Sequence, residues 1–340
     1  MTISEGRFSE ELSATKIKLD LQDKKILSLL SENSRRPITD LARRARLSAD
    51  TTRYRIRRLR KLGVIQRYIP IVNFKRLNYY VFHVFMLLDE SDREKRNALL
   101  SDLKNNDSVL SVIEYSDRWD LEVTMLAQTL VEFDKFMTGL ATKFRDIILE
   151  KNKLETIRNY NMMHYPLEPF QVSSRIPKRK PILKVKVDSL DLRLLVALSE
   201  DSSRSNYDLA QLLSVSSDTI AYRIKRLVSS GVIIKFTVLV NLSLANLHWH
   251  TFCLQVKVLD SDHDRKFKEY ITGFPKILRA CKTLGDWDLL LYIVAEDSRE
   301  FHATIKSIKN EFSDIIKNYE TWLAYKEHCY CAFPKVMLRS

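Results

Sequence analysis

From residue 20 the apolar positions follow a helical period, and from about residue 64 they change to strand-like runs. Asp20 precedes LQDKKILSLLSEN, whose Ile26, Leu27, Leu29 and Leu30 fall on one side and predict a first helix. Pro37 restarts the chain, and ITDLARRA predicts a short second helix with Ile38, Leu41 and Ala42 inward. Arg46-Leu47-Ser48 reads as a tight turn, with Ser48 an N-cap for a third helix over 49–62 and Gly63 its stop. Three short helices with a tight turn before the third predict a helix-turn-helix. Downstream, 64–74 and 79–89 read as strands, 92–105 as a helix, 108–116 and 119–127 as strands around a turn at Asp117-Arg118. A helix over 130–144 and a long strand over 151–166 follow. From Tyr79 the order is βαββαβ, predicting a ferredoxin-like α+β sandwich with two helices on one sheet face.

The whole pattern is written twice. A constant offset of 168 aligns 19–65 with 187–233 without a gap, with 22 of 47 positions identical, too long a period for a solenoid. The offset continues downstream, where Trp119-Asp120-Leu121 meets Trp287-Asp288-Leu289 and Asp146-Ile147-Ile148 meets Asp314-Ile315-Ile316. The predicted fold class is therefore α+β, with two helix-turn-helix (winged-helix-like) domains at 19–65 and 187–233. Each is followed by a sandwich domain, at 66–170 and 234–335. Between the halves, SSRIPKRKPILKVK has six basic residues, no acid and two prolines, and 171–186 reads as an extended basic linker.

Charge sharpens the picture. Formal net charge is +13, and a basic protein of this kind fits an acidic partner such as nucleic acid. From Arg35 to Arg67 there are twelve basic residues against Asp40 and Asp50. At 100° per residue, Thr52, Ile56 and Leu59 fall together, facing the other two helices. Asp50, Tyr54, Arg57 and Lys61 fall on the opposite side, flanked by Arg53, Arg55 and Arg58. Such a helix fits the major groove of double-stranded DNA, its N-terminal residues on base edges and its flanking cations on phosphates. The candidate contacts in the first half also include Arg43, Arg46, Ser48 and Thr51. In the second half, with a recognition helix over 217–230, they are Ser216, Asp218, Thr219, Tyr222, Arg223, Lys225 and Arg226. From Ser203 to Lys235 there are only five basic residues, so the first unit is expected to supply most phosphate contacts.

Several function classes find no support. No run reaches the roughly 18 apolar residues that span a bilayer. The opening MTISEGRFSEELSA lacks the apolar core of a signal peptide, so a cytoplasmic, nucleoid-associated location with no membrane contact is expected. Six glycines and no GxGxxG or GxxxxGK[ST] pattern argue against a phosphate loop, and HExxH is missing. No residue set argues for catalysis, a cofactor or a bound metal. Four cysteines, all in the second half, make no disulfide framework. A metal or redox reading rests on His328-Cys329-Tyr330-Cys331, because Cys253 on the first sandwich strand is expected to neighbour the last strand. A small buried hydrophobe is the simpler reading of a cysteine.

The ordered set Asp20-x-x-Asp23, Leu47-Ser48, Arg55-Ile56-x-x-Leu59 and Gly63-Val64-Ile65, followed by βαββαβ, resembles the Lrp/AsnC family of prokaryotic transcription regulators. The resemblance covers almost the whole chain, twice; the departure is the fusion of two such pairs. It implies a sequence-specific DNA-binding regulator and a covalent pseudo-dimer whose sandwiches pack sheet to sheet, with further homo-oligomerisation open. It also implies a small effector, such as an amino acid, near the turn between the second and third sandwich strands. That turn is Gly285-Asp286-Trp287-Asp288 in the second half and Asp117-Arg118-Trp119-Asp120 in the first, so Gly285, Asp286, Asp288, Asp117 and Asp120 are the candidate effector residues. Siroheme decarboxylases share this architecture and occur as fused pairs, which makes a decarboxylase-like enzyme the rival reading. Neither turn contains the histidine such chemistry would need. An interaction scaffold that does not bind DNA is a third reading.

Overall fold

In the computed structural model, which describes residues 6–9, 17–89, 91–166 and 186–338, the two halves repeat one series of elements. The first half runs α1 (Leu21–Glu32), α2 (Ile38–Ala45), α3 (Ala49–Lys61), β1 (Ile65–Val72), β2 (Tyr80–Leu88), α4 (Arg93–Asn105), β3 (Val109–Tyr115), β4 (Leu121–Ala127), α5 (Leu130–Phe144) and β5 (Ile148–Met162). The second runs α6 (Ser189–Glu200), α7 (Asn206–Leu213), α8 (Ser217–Ser229), β6 (Ile233–Val240), β7 (His248–Val256), α9 (Ser261–Gly273), β8 (Ile277–Leu284), β9 (Leu289–Ala295), α10 (Ser298–Glu311) and β10 (Ile316–Tyr330). Apart from Lys186, the expected basic linker lies outside the described residues.

Each helical unit is closed by the other. β1 and β6 pair antiparallel, with Tyr68 opposite Val238. α1 packs on β6 and α6 packs on β1. The Ser34 amide donates to the Phe236 carbonyl at 3.1 Å, and the Ser202 amide to the Tyr68 carbonyl at 2.8 Å. The two cores, one around Ile26, Leu29 and Leu59 and the other around Leu194, Leu198 and Leu227, therefore share this two-stranded seam.

The βαββαβ units each form a sheet in the order fourth, first, third, second strand, as expected. They do not remain separate sandwiches. The order β10-β3-β4-β2-β5-β8-β9-β7 closes into one eight-stranded barrel. Two 15-residue strands make the closure. β5 pairs β2 with residues 148–155 and β8 with residues 155–162. β10 pairs β7 with residues 316–324 and β3 with residues 324–330. The expected sheet-to-sheet packing survives as the barrel interior, where Phe85, Trp119 and Trp322 meet in tilted and edge-on contacts 5.0–6.3 Å apart. The first and last strands of the second unit are neighbours, but the cysteines of the metal or redox reading do not face one another. Cys253 lies opposite Glu320, whereas Cys329 lies opposite Val112 further along β10. Among the described residues, no group of three His, Cys, Asp or Glu side chains is placed to hold a metal ion.

Polar residues inside the barrel break the pseudo-twofold symmetry. The Glu122 carboxylate is hydrogen-bonded to His83 Nδ1 at 2.7 Å and accepts from Tyr115 Oη at 2.6 Å and from Tyr292 of the other half. Thr156 bonds the far nitrogen of His83 at 3.1 Å, and Thr251 bonds Tyr115. Burial pushes the Glu122 carboxyl up, but these bonds outweigh it and hold it below its ordinary range. Burial holds His83 below its ordinary value, which favours a neutral ring bonded to a carboxylate. At the aligned positions His83 meets Thr251 and Glu122 meets Leu290, so the second half lacks this network.

Candidate nucleic-acid interface

Local chemistry sets the recognition helices. The Asp20 side chain accepts from the Asp23 amide while the Asp23 side chain reaches back to the Asp20 amide, a capping box that starts α1. α2 ends at Arg46 in the left-handed region, φ 57°, where an arginine is unusual. This turn lets the Leu47 amide reach the Ala42 carbonyl at 2.9 Å. Ser48 then accepts from the Thr51 amide at 3.0 Å and starts α3, and Gly63 at φ +75° releases it. The second unit reproduces each device with Asp188, Ser214, Ser216 and Gly231.

The expected faces are present. Thr52 and Leu59 are fully buried and Ile56 packs beside them. Asp50, Thr51, Tyr54, Arg57 and Lys61 are exposed on α3, together with Ser48, Arg43 and Arg46 at the preceding turn. Tyr54 and Tyr222 are 62% and 66% exposed, which places an aromatic ring in solvent at the same point of both helices. Arg53 pairs with Asp50 at 2.6 Å and Arg43 with Asp40 at 2.5 Å, so two of the cations are held along the outer surface.

Arg55 and Arg58 are placed differently from the rest of the flanking set. Arg55 Nη1 bonds Asp20 at 2.7 Å and Asp23 at 2.8 Å, and Arg58 Nη1 bonds Asp23 at 2.9 Å. Arg223 bonds Asp188 at 2.7 Å and Asp191 at 2.9 Å, and Arg226 also pairs with Asp191. Asp23 and Asp191 are buried, so these arginines neutralise carboxylates at the base of α1 and α6. Asp23 and Asp191 were absent from the sequence-derived site. The available signal was the double spacing itself, Asp-x-x-Asp with Arg-x-x-Arg in both halves.

This leaves the two faces unequal. In the second unit Arg204 pairs with Glu200 at 3.5 Å. Lys235 is half-buried, donates to the Ser31 carbonyl at 3.2 Å, and is pushed down to about 8 by its desolvation. With Arg223 and Arg226 paired inward, Lys225 is the cation of that unit left exposed on the outer face of α8, beside Asp218, Tyr222, Ser216 and the half-exposed Thr219. Where the first unit has Arg43, Arg44 and Arg46, the second has Gln211, Leu212 and Ser214. Gln211 and Ser214 line a shallow hollow with Tyr207, Val215 and Ser216.

The effector candidates sit at the two barrel junctions. Gly285, at φ +140°, lies so close to β5 that a Cβ would meet the Lys153 carbonyl oxygen and the Leu154 side chain, each at 2.6 Å. The backbone approach that this glycine permits is thus to the other half's long strand. Asp286 accepts from Asn152 Nδ2 at 2.9 Å. Asp288 accepts from the Val256 amide at 2.8 Å and Asp120 from the Leu88 amide at 2.6 Å, so both pin the turn to the neighbouring strand. Asp117 accepts from the Leu323 amide on β10, and Arg118 bonds Glu320 at 2.7 Å.

Against known families, residues 19–66 match the winged helix-turn-helix DNA-binding family, 187–228 the AsnC-type helix-turn-helix domain and 251–330 the Lrp/AsnC ligand binding domain. An uncharacterised HTH-type transcriptional regulator of Pyrococcus horikoshii is 35% identical over 115 residues, which are 34% of this chain and 77% of that protein. The leucine-responsive regulatory protein of Rhizobium meliloti is 26% identical over 151 residues, 44% of this chain and 97% of that one. Among solved structures, a siroheme decarboxylase, NirDL, superposes with a TM-score of 0.60 at 14% identity, over 91% of this chain and 93% of its own, a likeness of fold.

Proposed function

This chain belongs to the Lrp/AsnC family of transcription regulators, and on that premise we propose that it grips double-stranded DNA chiefly through its first helix-turn-helix unit, with the second adding selectivity. The observation that carries this reading is the charge asymmetry after internal pairing. Arg46, Arg57 and Lys61 stand exposed around Tyr54 on α3 and the turn before it, against Lys225 on α8. Phosphate contacts set affinity and base contacts set sequence preference. In this reading Arg43, Arg46, Arg53, Arg57 and Lys61 hold phosphates, while Ser48, Asp50, Thr51 and Tyr54 face the bases. Ser216, Asp218, Thr219, Tyr222 and Lys225 do the same work on a weaker half-site. Arg55, Arg58, Arg223 and Arg226 serve mainly to set the tilt of the recognition helices. The domain division given above, 19–65, 66–170, 187–233 and 234–335, is part of the same proposal. Among the described residues no helix is long and apolar enough to cross a membrane, and we assign the protein to the cytoplasm.

A small effector is the second element of the proposal, supported by the match of residues 251–330 to a ligand binding domain. Its contact at the 285–288 turn would be the exposed Asp286, through the carboxylate oxygen that Asn152 does not bond, because Asp288 is already bonded to the Val256 amide. The deciding experiment is binding of the full chain to its own upstream DNA and to a random duplex across a salt series. Preference for the upstream fragment with a steep salt slope supports the reading; absence of binding at low salt overturns it. The enzymatic alternative, a siroheme decarboxylase-like protein of the same fold, would be supported if a Soret band persists after incubation with siroheme and gel filtration.

A further inference from the structure

Residues 6–9 lie between the chain flanking the β1/β6 sheet and the barrel. Gln66 Nε2 donates to the Gly6 carbonyl at 3.0 Å, the Leu242 amide to the Arg7 carbonyl at 2.7 Å, and the Ser9 amide to Ser243 Oγ at 2.9 Å. On the barrel side the Glu327 amide donates to the Phe8 carbonyl at 3.0 Å. Gly6 approaches β10 so closely that a Cβ would overlap the Glu327 carbonyl.

At the centre of this contact the Arg7 guanidinium enters a closed cage. Its Nε and Nη2 donate to the two oxygens of Glu327 at 2.9 and 2.6 Å, a fork-on-fork pair, and the Arg7 amide adds a third bond at 2.7 Å. Ser111 Oγ completes the carboxylate at 2.7 Å. The guanidinium carbon sits 4.6 Å from the ring centres of both Trp249 and Tyr330. The Glu327 side chain is 0% exposed and that of Arg7 7%. A planar cation is thus matched on its edge by a bidentate acceptor and by two aromatic rings, the combination that distinguishes guanidinium from ammonium. The cage occurs once, since Glu327, Trp249 and Tyr330 align with Asn159, Val81 and Met162.

A buried carboxylate stripped of its paired cation is left strongly destabilised, so the cage favours a replacement cation whenever Arg7 is out. We propose that Glu327, Trp249, Tyr330 and Ser111 form a guanidinium-binding site that the chain fills with its own Arg7, and that a free guanidinium compound of the arginine or agmatine class competes with Arg7 for it. This goes beyond the DNA-binding reading and does not depend on it.

The test uses the full chain with Arg7→Gly and methylguanidinium as the probe. The variant should melt below wild type, and methylguanidinium should raise its Tm saturably, on the order of 5 °C, where equal concentrations of sodium chloride or methylammonium do not. Wild type should need at least tenfold more probe for the same shift, because Arg7 competes, and Arg7→Gly with Glu327→Gln should not respond. A response equal to that in sodium chloride overturns the site, and equal sensitivity of wild type and Arg7→Gly overturns the competition. Should Arg7→Gly not fold alone, its refolding yield with and without the probe is measured instead; equal yields overturn the proposal.

Discussion

Arg55, on the recognition helix, and Asp23, in the first turn of α1, are joined by a 2.8 Å ion pair whose acid is buried, and Arg223 with Asp191 repeats it at 2.9 Å in the second half. This pair separates what stabilises the unit from what touches DNA. Arg55→Ala should cost about 2 kcal/mol of stability by stripping one partner from a buried carboxylate. Thermal melting should show the loss, with non-specific DNA affinity little changed at temperatures where the variant is folded. A large affinity loss at unchanged Tm would return Arg55 to the phosphate contacts.

Tyr54→Ala and Arg57→Ala should behave in the opposite way, because both side chains are exposed on the outer face of α3. Tyr54→Ala should cost about 1–3 kcal/mol on the specific site if the ring reaches base edges, with Tm unchanged. Competition binding against a random duplex reads the difference.

The salt dependence should be lopsided. Removing Arg46, Arg57 or Lys61 one at a time should each reduce the log–log salt slope by about 0.9 if each neutralises one phosphate. Lys225→Ala should change the slope less, since the rest of its face is nearly neutral. Equal effects from the two units would refute the asymmetry.

Stability should fall on mild acidification. Burial holds His83 and His164 below their ordinary value and brings His250 down to about 4. A folded pKa below the unfolded one gives stability that is complete above about 6.5 and is lost as pH falls toward the folded value. For His250, buried in a stack with Phe301 at 3.9 Å, the loss between pH 6.5 and 5 should be about 2 kcal/mol. His250→Gln should flatten the denaturation profile by that amount, and an unchanged profile would contradict it.

Gly285→Ala should loosen the barrel. Its Cβ would press on the β5 backbone, at a φ that alanine rarely adopts, costing about 2–3 kcal/mol. Urea midpoints of Gly285→Ala and of Gly139→Ala, where a Cβ meets nothing within 4 Å, give the comparison.

The local elements were legible because their signals are local. Ser48 caps the helix it was expected to cap, Asp20 caps the helix it precedes, and Gly63 ends α3 as its position implied. The strands that close the barrel were read only in part. β5 begins at Ile148, before the expected start at 151, and its two edges pair with different halves of the chain. Strand periodicity reports which face is buried; it carries no information on which distant strand will lie alongside. Arg55 and Arg58 were expected among the phosphate contacts and are found paired with Asp20 and Asp23; along one helix, a cation aimed at DNA and one aimed at a buried acid have the same spacing. Arg7 gave no signal, since four irregular residues in a polar stretch have no period to read.

The network of His83, Glu122 and Tyr292 has a consequence for how such a barrel can evolve. In an assembly of two identical chains a twofold axis doubles every substitution, so a glutamate at position 122 of one chain would bring a second glutamate to the place that Leu290 holds here. Here position 122 holds an acid while its counterpart, Leu290, stays aliphatic. Each half can therefore be altered singly, and the chain can keep one half for holding DNA while the other drifts toward a different ligand.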